Sequence, residues 1–178
     1  MADYKVGEVK IKEGGSVPSG VLRMRTNGET RTLTTDQIFK GKKVVLFSLP
    51  GAFTSICSSK HLPQFVGRME EFKKLGIDSV ICMAVNDEFV MEAWGKGYHA
   101  QDKGLLMLGD GDGSFTRSLG LDQELEGMGR RGRRFSMFVD DGVIRMLNIE
   151  EPGPMSYKVS GPETLLRFLQ TPSAPQQC

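Results

Sequence analysis

Apolar positions along the chain fall into two kinds of run. Residues 42–48 (KKVVLFS) and 79–85 (SVICMAV) carry hydrophobic side chains at successive positions between polar flanks. Such runs are expected of strands buried on both faces, as in a parallel sheet. Between them, Leu62, Phe65, Val66, Met69, Phe72 and Leu75 recur at i, i+3, i+4, i+7, i+10 and i+13, the spacing of one helix face. Gly76 stands where a helix C′ glycine belongs. Pro63 predicts a kink or break between a short first piece and a long second one.

The remaining pattern is read in the same way. Residues 1–20 are irregular, punctuated by Gly14, Gly15, Pro18 and Gly20. Residues 21–25 and 31–34 predict a hairpin about Asn27-Gly28. Asn86 or Asp87 caps a helix over 88–95, with Phe89, Val90, Ala93 and Trp94 as its apolar face. A third strand is expected at 105–108 and a short helix at 115–119, after a Gly/Asp loop. Residues 135–139 and 143–149 form a second hairpin through Asp141-Gly142, and a last helix covers 162–169. Strand–helix–strand–helix–strand followed by a hairpin and a helix predicts an α/β fold with a mixed central sheet flanked by helices. The expectation is one domain over 1–170 and a flexible Pro- and Gln-rich tail over 171–178.

Composition narrows the function. A formal net charge of +1 over 178 residues argues against a nucleic-acid binder. The cluster Arg130-Arg131-Gly132-Arg133-Arg134 is read as a loop whose last residue serves a site and whose others are solvated. No apolar run approaches the ~20 residues of a membrane span, and the polar N-terminus predicts no secretory signal. Three cysteines, Cys57, Cys82 and Cys178, are too few for a disulfide scaffold. The expected setting is therefore cytoplasmic and reducing.

The informative stretch is PGAFTSICSSKHLP, residues 50–63. Cys57 stands just past the C-terminal end of a buried strand, in the first turn of a helix. Sites in open α/β sheets form at that end of the strands, and unpaired N–H groups of a helix start stabilise a thiolate. Thr54, three residues earlier, brings a hydroxyl near the sulfur. The residues alone leave open a small buried thiol with Thr54 as a helix cap.

Pro50-x-x-x-Thr54-x-x-Cys57 resembles the P-x-x-x-T/S-x-x-C signature of the peroxiredoxins, and the longer run is similar to their type II (type five) subfamily. CMAVNDEFVMEAW, DGDGSFT, RRFSMFVDDGVI and IEEPGPMSYKVS have counterparts there in the same order. The resemblance implies a thioredoxin-like fold and a thiol-dependent peroxidase acting on hydrogen peroxide and alkyl hydroperoxides. Cys57 matches the peroxidatic cysteine, Thr54 the signature hydroxyl, Pro50 the proline shielding the pocket, and Arg134 the arginine facing the sulfur. Gly51, Thr54, Cys57 and Arg134 would hold the peroxide, and the first product would be a Cys57 sulfenic acid.

Some relatives carry a resolving cysteine after the last strand; here residues 154–159 (PMSYKV) have none. Cys82, in a predicted buried strand, and Cys178, in the tail, are the remaining candidates, with a core thiol and an ordinary tail residue as the alternative readings. The segment EPGPMSYKVSGPETLLRFL, residues 151–169, is most similar to bacterial members whose peroxidase domain is fused to glutaredoxin. No bound cofactor is expected; the implied reductant is external glutathione, with or without glutaredoxin, or alternatively thioredoxin. A homodimer is implied too. Two other functions stay open: a one-thiol glutathione-linked disulfide exchange enzyme, and a redox sensor or chaperone-like binding protein.

Other constellations are weak. Cys57 and His61 at i, i+4 suit a nucleophile–base pair, but no Asn or Asp orienter is nearby; His61 is read as a pocket-rim or satisfied residue. Cys57, His61, Cys82 and His99 lack metal-ligand spacing. Phe115 fills the glycine position an EF-hand would need, so Asp110-Gly-Asp-Gly is read as a turn and helix cap.

Overall fold

The computed structural model describes residues 4–171. The hairpin β1 (Val21–Thr26) and β2 (Glu29–Thr34) turns at Asn27 and Gly28, both at positive φ, as a two-residue I′ loop requires. There follow α1 (Thr35–Phe39), β3 (Lys43–Ser48), a π-helical turn (Cys57–His61), α2 (Leu62–Val66), α3 (Met69–Lys74), β4 (Ser79–Ala84), α4 (Glu88–Gly97), β5 (Leu106–Gly109) and α5 (Ser114–Leu119). A small pair β6 (Asp122–Leu125) and β7 (Gly129–Gly132) precedes the hairpin β8 (Phe135–Asp140) and β9 (Val143–Ile149), and α6 (Pro162–Gln170) closes the described chain.

Seven strands form one sheet in the order β2-β1-β5-β4-β3-β8-β9. The central trio β5-β4-β3 is parallel, and antiparallel pairs flank it on both sides. The predicted mixed α/β sheet is therefore present. Its two faces bury separate cores. Val45 and Phe47 of β3 face α2, α3, α4 and α6 through Phe65, Phe72, Trp94 and Leu165. Val44 and Leu46 face α1 and α5 through Phe39, Phe115 and Leu119. Burial on alternate sides is the reason 42–48 reads as one continuous apolar run.

The fold corrects several local expectations. The helical pattern beyond residue 62 breaks at Gly67-Arg68 instead of Pro63. Pro63 stands in a coil that is already helical from residue 55 and follows the π turn directly, so the widened turn accommodates the ring and the missing N–H without ending the helix. Helix α4 starts at the Asp87 cap, which accepts from the Val90 N–H at 2.9 Å. It buries Met91 and Trp94, while Phe89 and Ala93 of the expected apolar face are exposed. The Arg25 guanidinium covers the Phe89 ring at 4.6 Å. Helix α1 was missing from the sequence pattern, although Thr34 and Gln37 make a full capping box. The arginine cluster is not a solvated loop: Arg130 and Arg131 lie in β7, Arg130 pairs with Asp122 at 3.2 Å, and Arg131 and Arg133 are half-buried donors to backbone carbonyls.

Candidate active site

Strand β3 delivers the chain to Pro50 and Gly51, both buried. Asn86, just past β4, holds the turn by accepting from the Ala52 N–H at 2.9 Å. Phe53 then adopts φ +64 with its ring 65% exposed, a conformation a bulky residue rarely takes. A Cβ on Gly51 would stand 2.9 Å from Arg131 Nη1, so the close approach of that side chain fits glycine there. The chain becomes helical after Thr54, whose carbonyl accepts from the Ser58 N–H at 2.9 Å. Over Cys57–His61 the coil widens to π geometry, with the Leu62 N–H donating to the Cys57 carbonyl. Single π turns of this kind recur at functional sites.

Cys57 is 1% exposed. Arg134, delivered at the start of β8, is also 1% exposed and donates from Nη2 to the Cys57 Sγ at 3.3 Å. The same Nη2 donates to the Pro154 carbonyl at 3.0 Å, and Nη1 meets His61 Nδ1 at 2.9 Å. Nε is buried without a partner. Among the described residues, no carboxylate comes within ion-pairing distance of this guanidinium.

His61 is fully buried, so it is not at a rim, but it is satisfied. An arginine can only donate, so His61 Nδ1 accepts and Nε2 carries the proton, donating to the Ser160 carbonyl at 3.0 Å. Burial holds the ring well below the usual histidine range; the Arg134 charge adds to this, and the Ser160 bond opposes it. Rings of Phe47, Phe65 and Tyr157 enclose it at 4.9, 5.5 and 4.9 Å. Both nitrogens are engaged away from Cys57, which removes the nucleophile–base pairing.

Of the residues singled out in the sequence, the structure brings Cys57 and Arg134 into contact. Thr54 is nearby in the chain, but its hydroxyl donates to the Gly51 carbonyl at 2.7 Å and not to the sulfur. Cys82 lies in β4 opposite Phe47, fully buried and unpaired. Burial pushes its thiol well above the usual value, Cys57 adds to this, and Arg134 opposes it. Cys178 lies outside the described residues. The sequence reading missed Pro154, Tyr157, Ser160 and Glu150, which come from the segment after β9. Tyr157 donates to Gln64, lies 5.8 Å below the Arg134 guanidinium, and is pushed up by burial to about 12.

Comparison with known proteins identifies the family. The Redoxin family model matches residues 12–166. Peroxiredoxin-2D of Arabidopsis thaliana is 41% identical over 172 residues, 95% of this chain and 100% of that protein. A peroxiredoxin of Synechocystis sp. is 46% identical over 175 residues, 89% of this chain and 92% of its own. The crystal structure of reduced Prx3 of Vibrio vulnificus in complex with hydrogen peroxide matches with a TM-score of 0.84 at 40% identity, covering 90% of this chain and 100% of that one. The chain belongs to the peroxiredoxin family, the thiol-dependent peroxidases of thioredoxin-like fold.

Proposed function

We propose that Cys57 is the peroxidatic cysteine and that its thiolate is the counter-ion of Arg134. One observation carries the assignment: a guanidinium 1% exposed meets a sulfur at 3.3 Å, with no carboxylate beside it among the described residues. A buried cation without an anion is strongly disfavoured. Ionising Cys57 supplies that anion, and the ionised sulfur is the nucleophile the reaction needs.

The chemistry follows from the donors and acceptors present. The Cys57 sulfur attacks one peroxide oxygen; an S–O bond forms and the O–O bond breaks. The other oxygen leaves as hydroxide or alkoxide and takes a proton, giving water or an alcohol, while sulfur is oxidised by two electrons to the sulfenic acid. Negative charge moves from sulfur to the leaving oxygen, and the Arg134 N–H groups stabilise it throughout. The unpartnered Nε leaves a donor unused by the protein. The Thr54 proton is engaged by the Gly51 carbonyl, so its lone pairs remain to accept the peroxide hydrogen.

Peroxiredoxins hold no prosthetic group and draw electrons from thiols. We assign the reductant here as glutathione with or without glutaredoxin, thioredoxin being the alternative. An external thiol attacks the sulfenic sulfur, releases water and leaves a mixed disulfide; a second thiol displaces the Cys57 thiolate. The burial of Cys82 and the absence of cysteine from 154–159 support an outside thiol. The two unpaired described cysteines are compatible with a reducing, cytoplasmic setting. The exposed Phe53 and Met155 side chains near the site support a homodimer, which sedimentation of the reduced protein tests.

The deciding experiment is peroxide consumption with glutathione, glutathione plus glutaredoxin, or thioredoxin as donor. Wild type should turn over repeatedly with at least one donor and Cys57→Ser with none. Turnover by Cys57→Ser at the wild-type rate would remove the assignment. Oxidation that stops after one equivalent with every donor would instead favour a sensor.

A further inference from the structure

Residues 150–161 contain neither helix nor strand. They nevertheless supply two of the acceptors that fix Arg134: the Pro154 carbonyl directly, and the Ser160 carbonyl by way of His61. The segment is held by its own first residue. Glu150 is 2% exposed and accepts from the backbone N–H groups of Lys158, Val159 and Ser160 at 2.8–2.9 Å and from the Ser160 hydroxyl at 2.7 Å. Its own N–H donates to the Arg134 carbonyl at 3.0 Å. Among the described residues no cationic side chain pairs with the carboxylate; Arg133 reaches the Glu150 carbonyl at 2.8 Å instead.

The last donor in this nest, Ser160, is also the residue whose carbonyl selects the His61 tautomer. With Nε2–H committed to Ser160, Nδ1 is bare, and only a bare Nδ1 can receive Arg134 Nη1–H. The opposite tautomer would set two donors against each other. Losing the Glu150 nest frees residues 158–160, then the ring, then one arm of the guanidinium fork. We propose that Glu150 is a positioning residue for the peroxidase reaction, acting through Ser160 and His61 to hold Arg134 on the Cys57 sulfur. This inference rests on the peroxidase reading above and adds to it a residue that touches neither the sulfur nor the guanidinium.

Glu150→Gln keeps the side-chain size but brings an amide NH2 among donors. In the folded variant, rapid-mixing oxidation of Cys57 by hydrogen peroxide should slow roughly tenfold, and the pH profile of Cys57 alkylation by iodoacetamide should move to higher pH. A residue that only supported the fold would lower the unfolding midpoint and leave that profile in place. Ser160→Ala removes one donor of four and should slow oxidation about threefold. It carries the test if Glu150→Gln does not fold. In a His61→Asn background, which keeps an acceptor for Arg134 but loses the link to Ser160, Glu150→Gln should cost less than about twofold more. Unchanged rates and profiles in the folded variants, or an undiminished tenfold loss in the His61→Asn background, overturn the relay while wild type still oxidises. Wild type that is not oxidised by peroxide overturns the peroxidase reading instead.

Discussion

Arg134 Nη2 lies 3.3 Å from the sulfur of Cys57, a residue 77 positions earlier in the chain, and the two are brought together by adjacent antiparallel strands. Ser48 at the end of β3 stands opposite Phe135 at the start of β8. The chain leaving β3 turns at Pro50 and Gly51 and carries the thiol on the following π turn, and the guanidinium arrives just before β8. The sheet register therefore brings the turn after β3 and the residue before β8 to the same end of the sheet, where the thiol and the guanidinium meet.

Arg134→Gln removes the charge and should slow Cys57 oxidation by about a hundredfold or more, the usual effect of losing a donor aimed at developing charge. Arg134→Lys should rescue little of this. A single ammonium cannot serve Cys57, Pro154 and His61 at once as the planar fork does. Rapid-mixing kinetics with hydrogen peroxide, following the fluorescence of the lone tryptophan, Trp94, report both. Its indole N–H donates to the hydroxyl of Ser58, the residue after Cys57, at 3.1 Å.

Thr54→Val keeps the shape of the side chain and loses both the donor to Gly51 and the acceptor for the peroxide hydrogen. Oxidation should fall roughly tenfold, while Thr54→Ser stays near wild type. Equal rates for valine and serine would remove the hydroxyl from the mechanism.

Cys82 is walled into β4, opposite Phe47, on the same face as Trp94 and Phe65. Cys82→Ala should cost on the order of 1 kcal/mol of stability from the lost sulfur and leave turnover with an external thiol intact. Mass spectrometry of the oxidised wild type should show Cys57 joined to the added thiol. A Cys57–Cys82 disulfide, with turnover lost in the alanine variant, would assign Cys82 the resolving role.

Strand β3 was legible because both of its faces are buried, which leaves an uninterrupted apolar signature. Cys57 and Thr54 could be singled out from local spacing, and Arg134 because a resemblance pointed to it. The rest of the site depends on long-range contacts. His61 lies four residues from Cys57, but its burial depends on Ser160, 99 positions away. Glu150 and Glu151 are adjacent acids that composition cannot tell apart; one is 2% exposed and the other lies open to solvent. The β6–β7 pair was hidden because an arginine-bearing strand lacks the alternation by which strands are recognised.

The unfolding free energy should fall on mild acidification, and His61 gives the sign. In the unfolded chain a histidine takes up a proton near 6.5; in the native state burial, with Arg134 beside it, holds His61 well below that. Between those two values the unfolded state binds the extra proton, so the contribution is complete above about 6.5 and is lost as pH drops toward the native value. The slope reaches at most about 1.4 kcal/mol per pH unit for one proton. Glu150 adds a second window with the same sign. Burial alone would raise its carboxyl, but the Ser160 hydroxyl and the three N–H groups outweigh that and hold it low, so its share is lost below the ordinary 4.5. Urea unfolding at successive pH values should show the midpoint descending from about pH 6.5, and His61→Gln should flatten the curve down to the glutamate window. A wild-type midpoint constant from pH 7 to 5 would mean that the ring is protonated in the native state, with Nδ1–H facing Arg134 and the guanidinium no longer held as described.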